Sequence, residues 1–202
     1  MSAARPRLPN FPLIGFIWFV AALAVGASGR LIEWAPPRPQ LLLVALTVAL
    51  VAAGAVVPSF REWLEDLDLR AVIAMHLTRF IGIYFLVLYS RGLLPYNFAV
   101  LGGWGDIAIA ATAALWLVAA KDPAEHRTLL WTWNIAGALD ILFVVATAAR
   151  MGAADPDSMG PLRVLPLSLL PTFLVPLIIA SHALIFWRLL VLRDRQRHAP
   201  FS

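Results

Sequence analysis

The chain contains no cysteine. That removes disulfides, thiolate metal ligands and cysteine nucleophiles, and it leaves the redox compartment open. Charge is also scarce: Asp, Glu, Lys and Arg make up 14% of 202 residues, against about 25% in a soluble domain. Four histidines are too few for a membrane di-iron site of the desaturase kind. What is present is apolar, at 61% of the residues. A chain of this length cannot hide that much apolar surface in a water-soluble core. The net charge of +4 would suggest nucleic acid in a soluble protein. Here the arginines flank apolar runs, where membrane proteins keep their topological charges, so no nucleic-acid partner is expected.

About 20 apolar residues carry a helix across a hydrocarbon core of about 30 Å. Six runs qualify, at residues 11–28, 41–57, 71–94, 98–120, 129–149 and 165–192. None shows the alternation of a barrel strand. The expected fold is all-α, a polytopic bundle of six spans forming one membrane domain over 1–202, with the lipid bilayer as first partner and the bacterial inner membrane as location. Loop charge sets the orientation. Arg5, Arg7, Arg61, Arg70, Lys121, Arg127, Arg188, Arg193, Arg195 and Arg197 fall on the side that holds both termini, against Arg30, Arg38, Arg91, Arg150 and Arg163 on the other. Both ends are therefore expected in the cytoplasm.

Residues 59–70 set Phe60, Trp63, Leu64 and Leu67 at helical spacing among charges, the pattern of a helix lying along the cytoplasmic interface. Arg5 and Arg7 ahead of an apolar stretch that ends in Ala24-Val25-Gly26-Ala27 offer a second reading of the first span, a cleaved signal peptide.

Polar residues inside the spans are the candidates for function, because a charge at membrane depth is costly and normally faces the bundle interior. Arg79, Asp106, Asp140 and His182 are the strong ones, with His76 and Asn134 as companions. At 1.5 Å per residue Arg79 lies about 13 Å from the cytoplasmic end of its span, His182 about 15 Å, Asp140 about 18 Å and Asp106 about 21 Å. All four fall near the midplane, while His76 and Asn134 come out near about 9 Å. One arginine between two carboxylates neutralises one and leaves the other as a group able to take up a proton. Helical spacing puts His76 and Arg79 on one face, and lines up Ala99, Gly103, Asp106, Ala110 and Ala113 as a small-residue stripe. Asn134 is rotated by about 120° from Asp140 and need not share its cavity. In the last span Pro161, Pro166, Pro171 and Pro176 recur every fifth residue, which leaves the Leu167 and Thr172 carbonyls without their helical donors.

The pattern formed by Arg79, Gly82, Gly92-Leu93-Leu94-Pro95, Phe98-Ala99, Gly103-Trp104-Gly105-Asp106, Gly137, Asp140, Leu165-Pro166, Pro171, Val175-Pro176 and His182 resembles a family of small bacterial multi-pass membrane proteins described as uncharacterised. The resemblance covers the last four spans. It implies a membrane bundle and brings no activity with it.

Other motifs fail on placement. Gly26-Ala27-Ser28-Gly29 has the GxSG form of rhomboid proteases but closes the first span on the outer side, away from His182. Gly102-Gly103-Trp104-Gly105 lacks the Lys and Ser/Thr of a phosphate loop. No enzyme chemistry is expected, and no cofactor. Small-ligand binding or proton-linked transport through Arg79, Asp106, Asn134, Asp140 and His182 is the reading preferred from sequence. The first alternative is a redox protein with haem b between His76 and His182. The second is a structural subunit, in a homo-oligomer or a larger membrane complex.

Overall fold

The computed structural model describes residues 10–197, with side chains up to residue 190. Arg5 and Arg7, and the side chains of Arg193, Arg195 and Arg197, lie outside what is described. The described residues are helical throughout their ordered elements and contain no strand.

Five helical stretches are long and apolar enough to cross a membrane: Arg38–Val56, Leu69–Ser90, Asn97–Ala119, Pro123–Ala154 and Leu170–Leu190. A sixth apolar helix, Phe11–Ala27 (α1), is shorter. It starts where the Asn10 side chain accepts a hydrogen bond from the Leu13 N–H at 3.2 Å, capping an orphan donor of the first turn. The second stretch (α2) is Arg38–Val56. It is followed by the short amphipathic helix Pro58–Asp66 (α3); the segment read from sequence over 59–70 is helical only as far as Asp66, because Leu67 and Asp68 are extended and Leu69 and Arg70 begin the next helix.

The third stretch is not one α-helix. Leu69–Ala74 (α4) runs into a 3₁₀ segment, Met75–Phe80, which runs into Ile81–Ser90 (α5). It stops at Ser90 rather than at residue 94, because Gly92 adopts φ 71°. The Leu93 and Gly92 N–H groups then turn back to the Leu88 and Tyr89 carbonyls, a left-handed cap that ends the helix. The fourth stretch opens with a π-helical turn, Asn97–Gly102, and continues as Gly103–Ala119 (α6). The fifth is Arg127–Ala154 (α7), entered through a 3₁₀ turn at Pro123–His126. The last opens with a second π-helical turn, Leu170–Leu174, and continues as Val175–Arg197 (α8).

The proline-rich entry to the last stretch resolves its own orphan carbonyls. Pro171 takes a donor from Leu167, whose carbonyl accepts from the Leu170 N–H at 3.0 Å. Pro176 takes one from Thr172, whose carbonyl accepts from the Trp18 indole N–H at 3.0 Å. Trp18 and Phe19 also pack edge-on against Phe173, so α1 is docked on this entry.

Three arginines counted above as loop charges donate to backbone carbonyls, two of them at helix ends. Arg70 donates to the Leu117 carbonyl at 2.6 Å and to the Ala120 carbonyl, at the C-terminus of α6. Arg188 donates to the Leu64 and Glu65 carbonyls at the end of α3. Cations at the ends of α6 and α3 satisfy carbonyls that have no helical partner and lie at the negative end of the helix dipole. Arg127 donates instead to the Leu189 carbonyl, within α8.

The core is built in three levels. Phe85, Leu88, Phe98, Ile141, Val144, Val175 and Ile178 form one apolar cluster. Ile73, Ala113, Trp116, Leu130, Ile185 and Leu189 form another towards the opposite end. Between them, at the same level on four spans, lie the buried polar residues His76, Arg79, Asp106, Asn134, Ser181 and His182.

Candidate functional site

The polar level has two layers. In the first, Arg79 reaches both carboxylates: its Nε donates to Asp106 Oδ1 at 2.7 Å and its Nη2 to Asp140 Oδ2. Its Nη1 donates to the Gly137 carbonyl at 3.1 Å. Arg79 is 1% exposed and Asp106 3%, so the arginine and one carboxylate are buried, with hydrogen bonds on each of the three guanidinium nitrogens. Asp140 is the less enclosed carboxylate, with 17% of its side chain exposed.

Glycine makes the geometry. A Cβ on Gly82 would overlap the Gly103 carbonyl and lie 3.1 Å from the Asp106 Cβ. The third and fourth stretches therefore touch backbone to backbone, and the two charged residues sit three positions from the contact, Arg79 before Gly82 and Asp106 after Gly103. Gly105 leaves room for the Asp140 carboxylate, and Gly137 for the His182 ring, whose Cε1 would lie 2.6 Å from a Cβ there. Small residues of this kind let membrane helices approach closely enough for short polar side chains to meet.

The second layer is built on histidine. Asn134 Nδ2 donates to the His182 carbonyl at 3.1 Å, which turns its Oδ1 toward His182 Nδ1 at 2.7 Å. Ser181 Oγ donates to the Ile178 carbonyl at 2.7 Å and lies 3.1 Å from His76 Nε2. The two imidazole rings are in contact, 4.5 Å between centroids and tilted by 51°, with Trp133 edge-on to His76 at 5.1 Å. His76 stands directly above Arg79 because residues three apart eclipse in a 3₁₀ helix.

Arg79, Asp106 and Asp140 are thus gathered in one layer, and Asn134 and His182 in the other, where His76 is a full member rather than a companion. Ser181 was not singled out from sequence. Its only signal there was adjacency to His182, and neighbours on an α-helix diverge by about 100°, so Ser181 reaches His76 while His182 reaches Asn134.

A haem shared by His76 and His182 does not fit. Two axial ligands stand on opposite faces of a porphyrin, whereas these rings touch and leave no gap for a macrocycle. One ring nitrogen of each is already directed at Ser181 or Asn134. Among the described residues no group of three or more His, Asp or Glu is placed to hold a metal ion.

Two cavities approach the polar level from opposite halves of α2. One, of about 230 Å³, is lined by Leu43, Phe85, Phe98, Val144 and Ala148 and ends on Arg79 and Asp106. The other, of about 580 Å³, lies between α2, α3, α4 and α8 and ends on Met75 and Ser181.

A family model described as a domain of unknown function (DUF8737) matches residues 36–190. The chain belongs to that family. The matched region takes in α2 through most of α8, hence every residue of both polar layers, and leaves α1 outside. No curated protein and no solved structure matches the chain. The function of the family is unknown.

Proposed function

We propose that the chain is a multi-pass membrane protein that binds a small ligand in the cavity ending on Arg79 and Asp106. The observation that supports this reading is the lining. A largely apolar wall from five helices, with Arg163 also in the lining, closes on the Arg79–Asp106 ion pair, which is the composition of a site for a small amphiphilic molecule, where the walls supply affinity and the polar group fixes orientation. Movement of that ligand together with a proton is the fuller version of the proposal, since a broken span and an ion network with one excess carboxylate are both features of proton-linked carriers.

The proposal includes the arrangement in the membrane: six spans counting α1, both ends cytoplasmic, α3 along the cytoplasmic surface, and a bacterial inner membrane as location. In that orientation the 230 Å³ cavity faces outward and the 580 Å³ cavity faces the cytoplasm.

Native mass spectrometry of the protein released from detergent tests the binding role. The wild type should carry a small molecule that Ala148→Trp, which fills the cavity, loses while remaining folded. A wild type that carries none in any membrane extract, or an Ala148→Trp variant that keeps it, would overturn the proposal and favour a structural subunit.

A further inference from the structure

The larger cavity, of about 580 Å³, is polar at one end only. Its walls are aliphatic and aromatic, and among the described residues that line it Arg61 is the only charged one. Arg61 stands exposed on α3 and makes no ion pair among the described residues. At the deep end lie Met75 and Ser181. The Ser181 hydroxyl donates to the Ile178 carbonyl at 2.7 Å, and its oxygen lies 3.1 Å from His76 Nε2. The deep end therefore has no free donor for a polar group, and an occupant must turn its charge toward Arg61 and its apolar part inward.

The cavity also has the depth of one leaflet. Leu177, Ser181, Leu184 and Trp187 line it from a single face of α8. From Leu177 to Trp187 that helix rises about 15 Å, half of a hydrocarbon core of about 30 Å. Trp187 marks the surface end, because the adjoining Arg188 donates to the Leu64 and Glu65 carbonyls of α3. Phe60 and Trp63 stack on each other and pack on Phe11, which fastens α3 across the mouth from the other side. Two tryptophans, Trp63 and Trp187, thus meet the cavity at headgroup level, where membrane proteins favour them.

We propose that this cavity holds one acyl chain of a zwitterionic glycerophospholipid with a primary ammonium, drawn from the leaflet on whose surface α3 lies. The phosphate pairs with Arg61 in a charge-assisted contact. The ammonium is matched by α3 itself. Glu62 and Glu65 are exposed, outside the cavity lining, and within one helical turn of Arg61. A cation at the mouth with carboxylates beyond it complements a headgroup whose phosphate is inner and whose ammonium is outer. A headgroup of net negative charge gains the same arginine and is opposed by both glutamates. The site is separate from the smaller cavity and does not depend on the ligand-binding role proposed there.

The test is native mass spectrometry of the full chain in detergent, supplied with equal amounts of phosphatidylethanolamine, phosphatidylglycerol and phosphatidylcholine carrying identical acyl chains. The wild type should retain one lipid and prefer phosphatidylethanolamine. Arg61→Gln should weaken its retention about fivefold, the value of one cation near a headgroup. Glu62→Gln combined with Glu65→Gln should keep a lipid and lose the preference for phosphatidylethanolamine over phosphatidylglycerol. These substitutions lie on an exposed face, so they remain readable if Ala180→Trp, which fills the cavity and should expel the lipid, does not fold. Ala148→Trp, in the smaller cavity, should leave lipid retention unchanged. A wild type that holds phosphatidylglycerol as well as or better than phosphatidylethanolamine, an Arg61→Gln variant that retains lipid like the wild type, or loss of the lipid in Ala148→Trp would each overturn the proposal.

Discussion

Gly103 lies against Gly82 so closely that a Cβ on it would be 3.0 Å from the Gly82 carbonyl oxygen. No side chain intervenes between the third and fourth stretches at this point, and the Arg79 to Asp106 bond depends on that approach. Gly82→Ala should therefore destabilise the protein by about 1–3 kcal/mol, the usual range for overpacking. Gly15, with nothing within 4 Å of a Cβ, is the control. Gly15→Ala in the interior of α1 should stabilise by about 0.5–1 kcal/mol. Reversible unfolding in detergent, followed by tryptophan fluorescence, measures both.

Arg79→Leu should cost about 3–5 kcal/mol, because it strands two carboxylates in the bundle unless they protonate. The double change Arg79→Leu with Asp106→Leu should cost less than the sum of the two single changes. Additivity of the two would show that the buried pair contributes no mutual stabilisation.

Trp18→Phe keeps most of the ring packing on Phe173 and removes the donor to the Thr172 carbonyl. A buried acceptor left without a partner costs about 1–3 kcal/mol. The same substitution in a Pro176→Ala background should cost less, since the replacement restores a backbone N–H able to reach the Thr172 carbonyl. An equal loss in both backgrounds would sink the carbonyl assignment.

Topology reporters placed at Pro36 and Asp157 should report the outer face, and one at Asp122 the inner. The reverse pattern would invert the proposed arrangement and exchange the sides of the two cavities.

Purified protein from cells supplied with ample haem should show no stoichiometric Soret band. A band abolished by His76→Gln or His182→Gln would mean that the two rings separate far enough to admit a porphyrin.

Much of this was legible in the sequence. Run lengths of apolar residues located the helices to within a few positions, because the requirement for about 20 apolar residues is imposed by the bilayer and not by neighbouring chain. Counting rise per residue placed Arg79, Asp106 and Asp140 at one level, and the structure joins them. Two things were not legible. The 3₁₀ winding of Met75–Phe80 has no proline or glycine inside it to announce it, and it is the reason His76 eclipses Arg79. The glycines at 105 and 137 read as generic small residues, since which side chain a missing Cβ admits is a property of the facing helix. The same holds for Ser181, whose partner lies 105 positions away.

The 3₁₀ segment also alters the reach of its span. Six residues rising about 2.0 Å each, in place of about 1.5 Å, lengthen Leu69–Ser90 by about 3 Å. From Arg70 to Arg91 the chain then covers about 35 Å against a hydrocarbon core of about 30 Å. That length exceeds the thickness of the apolar layer, so the span is long enough for an arginine to lie beyond the layer at each end.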